Sequence, residues 1–595
     1  MNLPWQDVSI IAIYLILVVL IGFWVKKRAT STLDNYFLAG RNLPWWILGF
    51  AGCSSYIDIG GTMAMVGALY YLGLKSVWMT HIFWGWFMIC FYMAFQAKWI
   101  RRSGVMTFAE WNETRFGKTR DAEYARIAAA VFLLVLMISN LTFMAVGIGK
   151  FAEEFLPLSR WLSTLLIFSI VGIYVTLAGF FGVVLTDLLQ TLLLAIGAVL
   201  LSFMVFNNGD FSPLLQRMPE SWQSLTPVWK LWDGYLAATP ESYHHFYLFG
   251  PLLLAGFSWM IFRLLAGPNV WDFQFFLTAR SSRDAALAGG MWTVGYTIRW
   301  IMGCAFLILG LTYLGSQAGF DAEKIMPLVL NKLPVGLRGM FLAVLLAALM
   351  STLDAMINVT SSVVVNDFLK RYFTKNLSQQ KLVRLGQIAS IVALALGFSL
   401  SLLFDQIISA WEAMIFVVVT MILVPATMRW HWWRFSAKAF VYSMIASTAI
   451  ILAQKVFFAE WPITVTLAVD IGLSLIATVI IGFRVPPTDT GVLIDFYSRV
   501  RPFGVWQPIR KLAIQQGRID PDNHESTYDW INGLITMVFQ LSLALIPFYA
   551  FLRQWPKVVL WSVIFVVVSA VLYFTWYRQL PPRNEEALFQ RGTKL

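Results

Sequence analysis

Apolar runs of about 17 to 25 residues, each long enough to cross the hydrocarbon core of a bilayer, recur along nearly the whole chain between short clusters of charge. They predict fifteen helical spans, near 7–25, 44–72, 76–98, 127–150, 160–178, 183–206, 246–271, 286–314, 338–366, 386–404, 408–426, 438–455, 462–483, 528–550 and 557–576. Most of these runs are apolar all round, but a few carry a polar stripe. In FLAVLLAALMSTLDAMINVTSSVVVNDF, residues 341–368, Ser351, Asp354, Asn358 and Ser361 recur at intervals of three and four, with Thr352 flanking them. That spacing puts them on one face of a helix. A hydroxyl can bond the carbonyl four residues back, whereas a carboxylate at the centre of a span costs about 2.5–3.5 kcal/mol even on the gentlest insertion scale. The stripe therefore faces partners inside the protein.

Composition agrees with an all-α polytopic membrane protein: 59% of the 595 residues are hydrophobic and 13% charged, against roughly 25% charged in soluble domains. The net charge of +12 does not point to nucleic acid, because the basic residues cluster in short alternate loops, such as Lys26 to Arg28, Arg101 to Arg126, Lys370 to Arg384 and Arg484 to Lys511. By the positive-inside rule those loops are cytoplasmic, which places the N-terminus outside and the C-terminus inside. Cys53, Cys90 and Cys304 all lie in apolar segments and read as small buried hydrophobes. The five histidines have no metal-ligand spacing. No grouping of nucleophile, base and orienting residue suggests an enzyme, and no pore-loop repeat suggests a channel.

Polarity inside the spans concentrates in three places. The second span contains AGCSSYIDIGGTM (51–63), where Ser54, Ser55, Asp58 and Thr62 accompany Gly60-Gly61, a pair that lets the backbone leave the helix. The ninth span carries the opening stripe. The seventh holds Arg263 and the break Gly267-Pro268, followed by Asn269. Discontinuous spans in matching positions of two halves point to a transport site, and here five spans separate the two breaks. The pattern predicts two inverted five-helix repeats, 44–206 and 246–426. Asp187, Arg299, Asp405, Glu412 and Asp470 are further polar insertions, and Arg263 and Arg299 are candidate ion-pair partners of Asp58 or Asp354.

Several motifs resemble the sodium:solute symporter family, whose members carry sugars, proline, sialic acid, vitamins and iodide. DNYFLAGRNLPWWILG (34–49) is similar to the approach to the family's first core helix. GFFGVVLTDLLQ (179–190) resembles its G-G-x-x-A-V-x-x-T-D-x-x-Q signature, with Thr186, Asp187 and Gln190 kept and Phe180 at the second glycine. AALMSTLDAMINVTSSVVVNDF (347–368) resembles its A-A-x-M-S-S segment. QFFLTARSSRDA (274–285) resembles its Q-R-x-L-A-A-K-S loop, with Phe275 in place of arginine. The resemblance implies a leucine-transporter-like core preceded by one helix, here with about four additional C-terminal helices. It also implies a sodium site made of the Ser54 and Ile57 carbonyls, the Ala348 carbonyl and the Ser351 and Thr352 hydroxyls, with Asp187 at a second cation position or a cytoplasmic gate. Asn269 matches a substrate-contacting position in sugar carriers; Tyr56, Arg263 and Trp259 join it as candidate substrate residues. Tyr56 stands where Asp or Asn is common, and Asp354 where serine is usual.

The domain boundaries expected are a leading helix (1–30), the first repeat (44–206), an extracellular loop (207–245), the second repeat (246–426), accessory helices (427–483), a cytoplasmic loop (484–527), a terminal pair (528–576) and a cytoplasmic tail (577–595). The expected function is sodium-coupled import of a small organic solute, a sugar or related polyol, by a monomer in the cell inner membrane. Proton coupling through Asp58 or Asp354 is an alternative, as is a carboxylate or amino acid substrate.

Overall fold

A computed structural model describes residues 3–29, 37–41, 43–54, 56–105, 107, 109–155, 158–208, 220–267, 270–314, 321–373, 377–523 and 525–584. Among them the protein is a multi-spanning all-α membrane protein without a sheet; two isolated bridges, Leu43 with Ala279 and Trp432 with Val505, are its extended pairings. Ten helices are long and apolar enough to cross a membrane, or eleven with a broken pair counted as one span. The fifteen predicted spans differ from these in identifiable places. Trp5–Ile21, Arg160–Ile173 and Phe249–Leu265 are apolar but shorter, and span 76–98 is interrupted at Gly85, which adopts φ +78° between a π turn, Met79–Phe83, and the helix Trp86–Phe91. The two spans expected at 160–178 and 183–206 are helical throughout Arg160–Asn208.

The second span breaks, but one turn before the glycine pair. Trp45–Ser54 ends, and Ile59–Leu72 begins after Asp58, whose carboxylate caps the new helix by accepting from the Gly61 N–H. Gly60 and Gly61 thus lie in the first turn of a regular helix, and what they supply is room. A Cβ on Gly61 would meet Arg299 Nη2 at 2.0 Å, and one on Gly60 the Cα of Gly147 at 3.2 Å. The first half is seated on the helix Ser282–Leu314, where Trp292 fills the space beside Gly52 and donates Nε1 to the Leu48 carbonyl at 2.9 Å.

The other break falls where proline predicts it. Phe249–Leu265 ends before Gly267, at φ +99°, and the chain resumes as Val270–Thr278; Pro268 and Asn269 lie outside the described residues. The polar stripe occupies Leu337–Ser362, which continues as a π-helix to Phe373 and packs against Arg160–Asn208 and Trp5–Ala29. The segment expected as a polar cytoplasmic loop contains two helices, Thr490–Val500 and Gln507–Gln515.

Candidate functional site

The predicted cation ligands converge where the first break meets the polar stripe. Ser351 donates its hydroxyl to Ser54 Oγ at 2.8 Å, and Ser54 in turn donates to the Ala51 carbonyl at 2.9 Å. Thr352 donates to the Ala348 carbonyl at 3.2 Å, and the Ile57 N–H closes the turn onto the Ser54 carbonyl at 2.9 Å. Asp187, from the long helix Arg160–Asn208, lies at the same place. It is fully buried, neither carboxylate oxygen has a hydrogen-bond partner among the described residues, and its electrostatic neighbours are Asp354 and the Ser351 hydroxyl. Two buried carboxyl groups beside two hydroxyls form a set of hard oxygen donors, the donor chemistry an alkali cation takes up. Tyr14 from the leading helix completes the surroundings, accepting from Gln190 Nε2 at 3.0 Å.

Beside this set lies a cavity of about 90 Å³. Thr352 is on its wall, so the oxygen cluster and the cavity share a residue. Tyr56, Asp58, Arg263 and Arg299 line it as well, along with an aromatic wall that includes Trp84, Trp86 and Trp411. Arg299 bridges the broken helix, donating Nη1 to the Tyr56 carbonyl at 2.6 Å and standing 3.5 Å from Asp58. This is the charge pair expected for Asp58. Arg263 has a different setting: its guanidinium lies 4.9 Å from the ring of Trp259 and gives Nη1 to the Phe83 carbonyl at 3.4 Å. Trp259 stands behind that arginine, off the cavity wall, and donates its indole N–H to Thr420 Oγ1 at 3.1 Å. The Asn269 expectation falls outside the described residues.

Asp272 is a site residue that the sequence pattern did not single out. It is fully buried on Val270–Thr278 and accepts from the hydroxyl of Tyr56 and, at 2.7 Å, from that of Tyr92. Its signal was available, a carboxylate within the apolar run VWDFQFFL directly after the second break. Asn140, on the cavity wall, was equally visible as a lone amide in an apolar span. Asn358, from the stripe, donates to Gln274 Oε1 at 2.9 Å and so ties the stripe to the helix after the second break.

Comparison with known proteins extends this picture. Residues 36–447 match the sequence model of the Sodium:solute symporter family. The chain is 26% identical over 414 residues to the human Sodium/glucose cotransporter 4, covering 63% of this chain and 58% of that protein. It is 25% identical over 488 residues to a Sodium/glucose cotransporter of Vibrio parahaemolyticus, covering 76% and 86%. The chain therefore spans about six tenths of the length of the animal relatives it matches. A solved Na+-coupled sialic acid symporter in a substrate-bound outward-open state superposes with a TM-score of 0.65 over 82% of this chain and 99% of its own, at 18% identity, a likeness of fold.

Proposed function

Since the chain belongs to the sodium:solute symporter family, we propose that it is a sodium-coupled symporter for a small organic solute, a carrier in the plasma membrane and not an enzyme. The observation that carries this reading is the contact of Ser351 with Ser54 across two helices, next to the buried Asp187 and sharing Thr352 with the cavity. Sodium would be held by Ser54, Ile57, Ala348, Ser351 and Thr352, with Asp187 and Asp354 supplying charge, Asp187 either to a second ion or to the inner gate. The solute would bind in the adjacent cavity among Tyr56, Arg263 and their neighbours.

The finer architecture belongs to the same proposal. The breaks after Ser54 and after Leu265 support two inverted repeats, 44–206 and 246–426, with the remaining divisions as the sequence suggests. The positive loops support an outside N-terminus and a cytoplasmic C-terminus. A transport unit of one chain suffices, because both breaks and the stripe come from one polypeptide. Coupling arises because the ion and the solute favour the same conformational state, so each raises the other's affinity; the membrane potential adds about 2.3 kcal/mol per charge per 100 mV.

The test is thermal unfolding of the purified protein in sodium, potassium and choline, across a range of pH. Stabilisation by sodium alone, saturable and reduced by Ser351→Ala, is expected. Equal stabilisation by all three cations with a steep dependence on acid would move the coupling to protons.

A further inference from the structure

The two guanidiniums on the cavity wall are not equivalent. Arg299 is engaged by the Tyr56 carbonyl and the Asp58 carboxylate. Arg263 is 6% exposed and its one hydrogen bond among the described residues is the long one to the Phe83 carbonyl at 3.4 Å; its Nε, like that of Arg299, has no acceptor among them. No carboxylate of a described residue lies within 4.0 Å of it. Asp272, the nearby carboxylate, is held by the hydroxyls of Tyr56 and Tyr92 instead. The fold nevertheless makes room for this cation. The span that should run through 76–98 is broken at Gly85, where a Cβ would come within 2.8 Å of Arg263 Nε. Burying an ionised group without a hydrogen-bonded partner is costly, and the cost is offset when a ligand brings the missing anion.

Several of the other polar groups on the wall are already committed, while the Trp84 indole N–H, a donor, has no acceptor among the described residues. Asn140 donates to the Leu136 carbonyl at 2.8 Å, the Tyr56 hydroxyl to Asp272, Thr352 to the Ala348 carbonyl, and Asp58 is taken by Gly61 and Arg299. A polyol, which needs a partner for each hydroxyl it buries, finds few. A planar carboxylate finds the fork of a guanidinium, whose geometry suits it, and its apolar body finds tryptophan. We infer that the transported solute is a small monocarboxylate with an apolar or aromatic body, its carboxylate seated on Arg263. The inference rests on the symporter reading only in placing the solute in this cavity.

The experiment is a binding screen on the full-length protein in lipid nanodiscs, in sodium and again in potassium, read by thermal stability and then by titration. The probes are the straight-chain monocarboxylates from acetate to octanoate, pyruvate, benzoate and phenylacetate, each beside its primary amide, together with glucose, galactose, myo-inositol and mannitol. The expected result is that at least one carboxylate binds while its amide binds about tenfold or more weakly. Arg263→Gln should weaken that carboxylate about ten- to a hundredfold with sodium's own stabilisation intact, and Arg263→Lys should fall between. Should Arg263→Gln fail to fold, the lysine variant and the acid-to-amide comparison decide. A panel in which no carboxylate binds, or a hexose or polyol binds in their place, overturns the substrate class; so does a carboxylate indifferent to Arg263. The two readings separate cleanly: a carboxylate that binds through Arg263 equally in sodium and potassium upholds the substrate class and removes the coupling, whereas sodium-dependent binding of a hexose does the reverse.

Discussion

Ser351 and Thr352 are adjacent in sequence but point to different partners, and their substitutions should separate accordingly. Ser351 reaches across to Ser54 and has no place on the cavity wall, whereas Thr352 bonds its own helix and faces the cavity. Ser351→Ala is expected to raise the sodium concentration for half-maximal transport about tenfold, the worth of roughly one polar contact, with solute affinity in saturating sodium unchanged. Thr352→Ala should weaken both, and Thr352→Ser should restore the sodium dependence. Uptake measured against sodium at fixed solute, and against solute at fixed sodium, distinguishes the two patterns; a Ser351→Ala variant with normal sodium dependence would remove that hydroxyl from the site. At this scale the sequence was legible wherever the polar side chain stood alone in an apolar run. Asp187 and Asp354 announce themselves by what it costs to put a carboxylate in a membrane, and Ser351 by sharing a helix face with Asp354. Asp272 carries the same signal, but its meaning lies in Tyr92 and Tyr56, 180 and 216 residues away, and no local pattern connects them.

The broken helix shows what changes from residue to element. Glycine pairs suggest unwinding, yet here Asp58 ends the break by capping the second half, and the glycines serve the close packing that follows. A charged letter inside a span does not by itself distinguish a cap from an ion ligand or an ion pair; Asp58 is both a cap and the partner of Arg299. Gly147, on the helix Arg120–Ala152, is the counterpart of this close approach: a Cβ there would lie 2.9 Å from the Cα of Gly60, backbone that cannot swing aside. Gly147→Ala is therefore expected to destabilise the protein by about 1–3 kcal/mol, as overpacking does, and to lower sodium affinity with it, because the displaced helix begins directly after Ile57 and Asp58, the first of them a proposed sodium ligand. Gly472→Ala, where nothing lies within 4 Å of a new Cβ, is the control. Thermal unfolding with and without sodium measures both effects, and equal behaviour of the two variants would mean the helices can part without cost. The second break was legible in the sequence, since proline removes a donor wherever it stands. The break at Gly85 was not, because the Arg263 side chain packed against it arrives from another span.

At the scale of the whole molecule, the segment 484–527 is not a slack connection between the accessory helices and the terminal pair. Arg115, on the core side, donates to the carbonyls of Arg429, Trp432 and Phe435 and stacks against Phe496 and Trp506 of the segment, while His431 lies between the carbonyls of Leu265 and Phe503 at 3.0 and 2.8 Å. The joint itself is Glu525. Its carboxylate stands 2.8 Å from Lys98 and 2.9 Å from both Arg102 and Arg501, so that one anion joins the end of an early span, the end of the Thr490–Val500 helix and the start of the terminal pair. Burial alone would raise this carboxyl, but Arg102, Lys98 and Arg501 outweigh it and hold it well below its ordinary value of 4.5. A carboxyl depressed in the folded state contributes stability that is complete above the unfolded value and is lost as the pH falls below it toward the folded one. Glu525→Gln leaves three cations gathered around one remaining carboxylate, Asp529, and is expected to cost about 3 kcal/mol near neutral pH, the loss typical when one member of a buried ionic cluster is removed. The difference in stability between wild type and variant should be flat from neutral pH to about pH 5 and should shrink on further acidification, as the wild-type carboxyl is protonated. Unfolding curves of the two proteins across that range measure it. A difference that stays constant into acid would mean Glu525 contributes packing and not charge, and that the terminal helices are held to the core by their apolar faces alone.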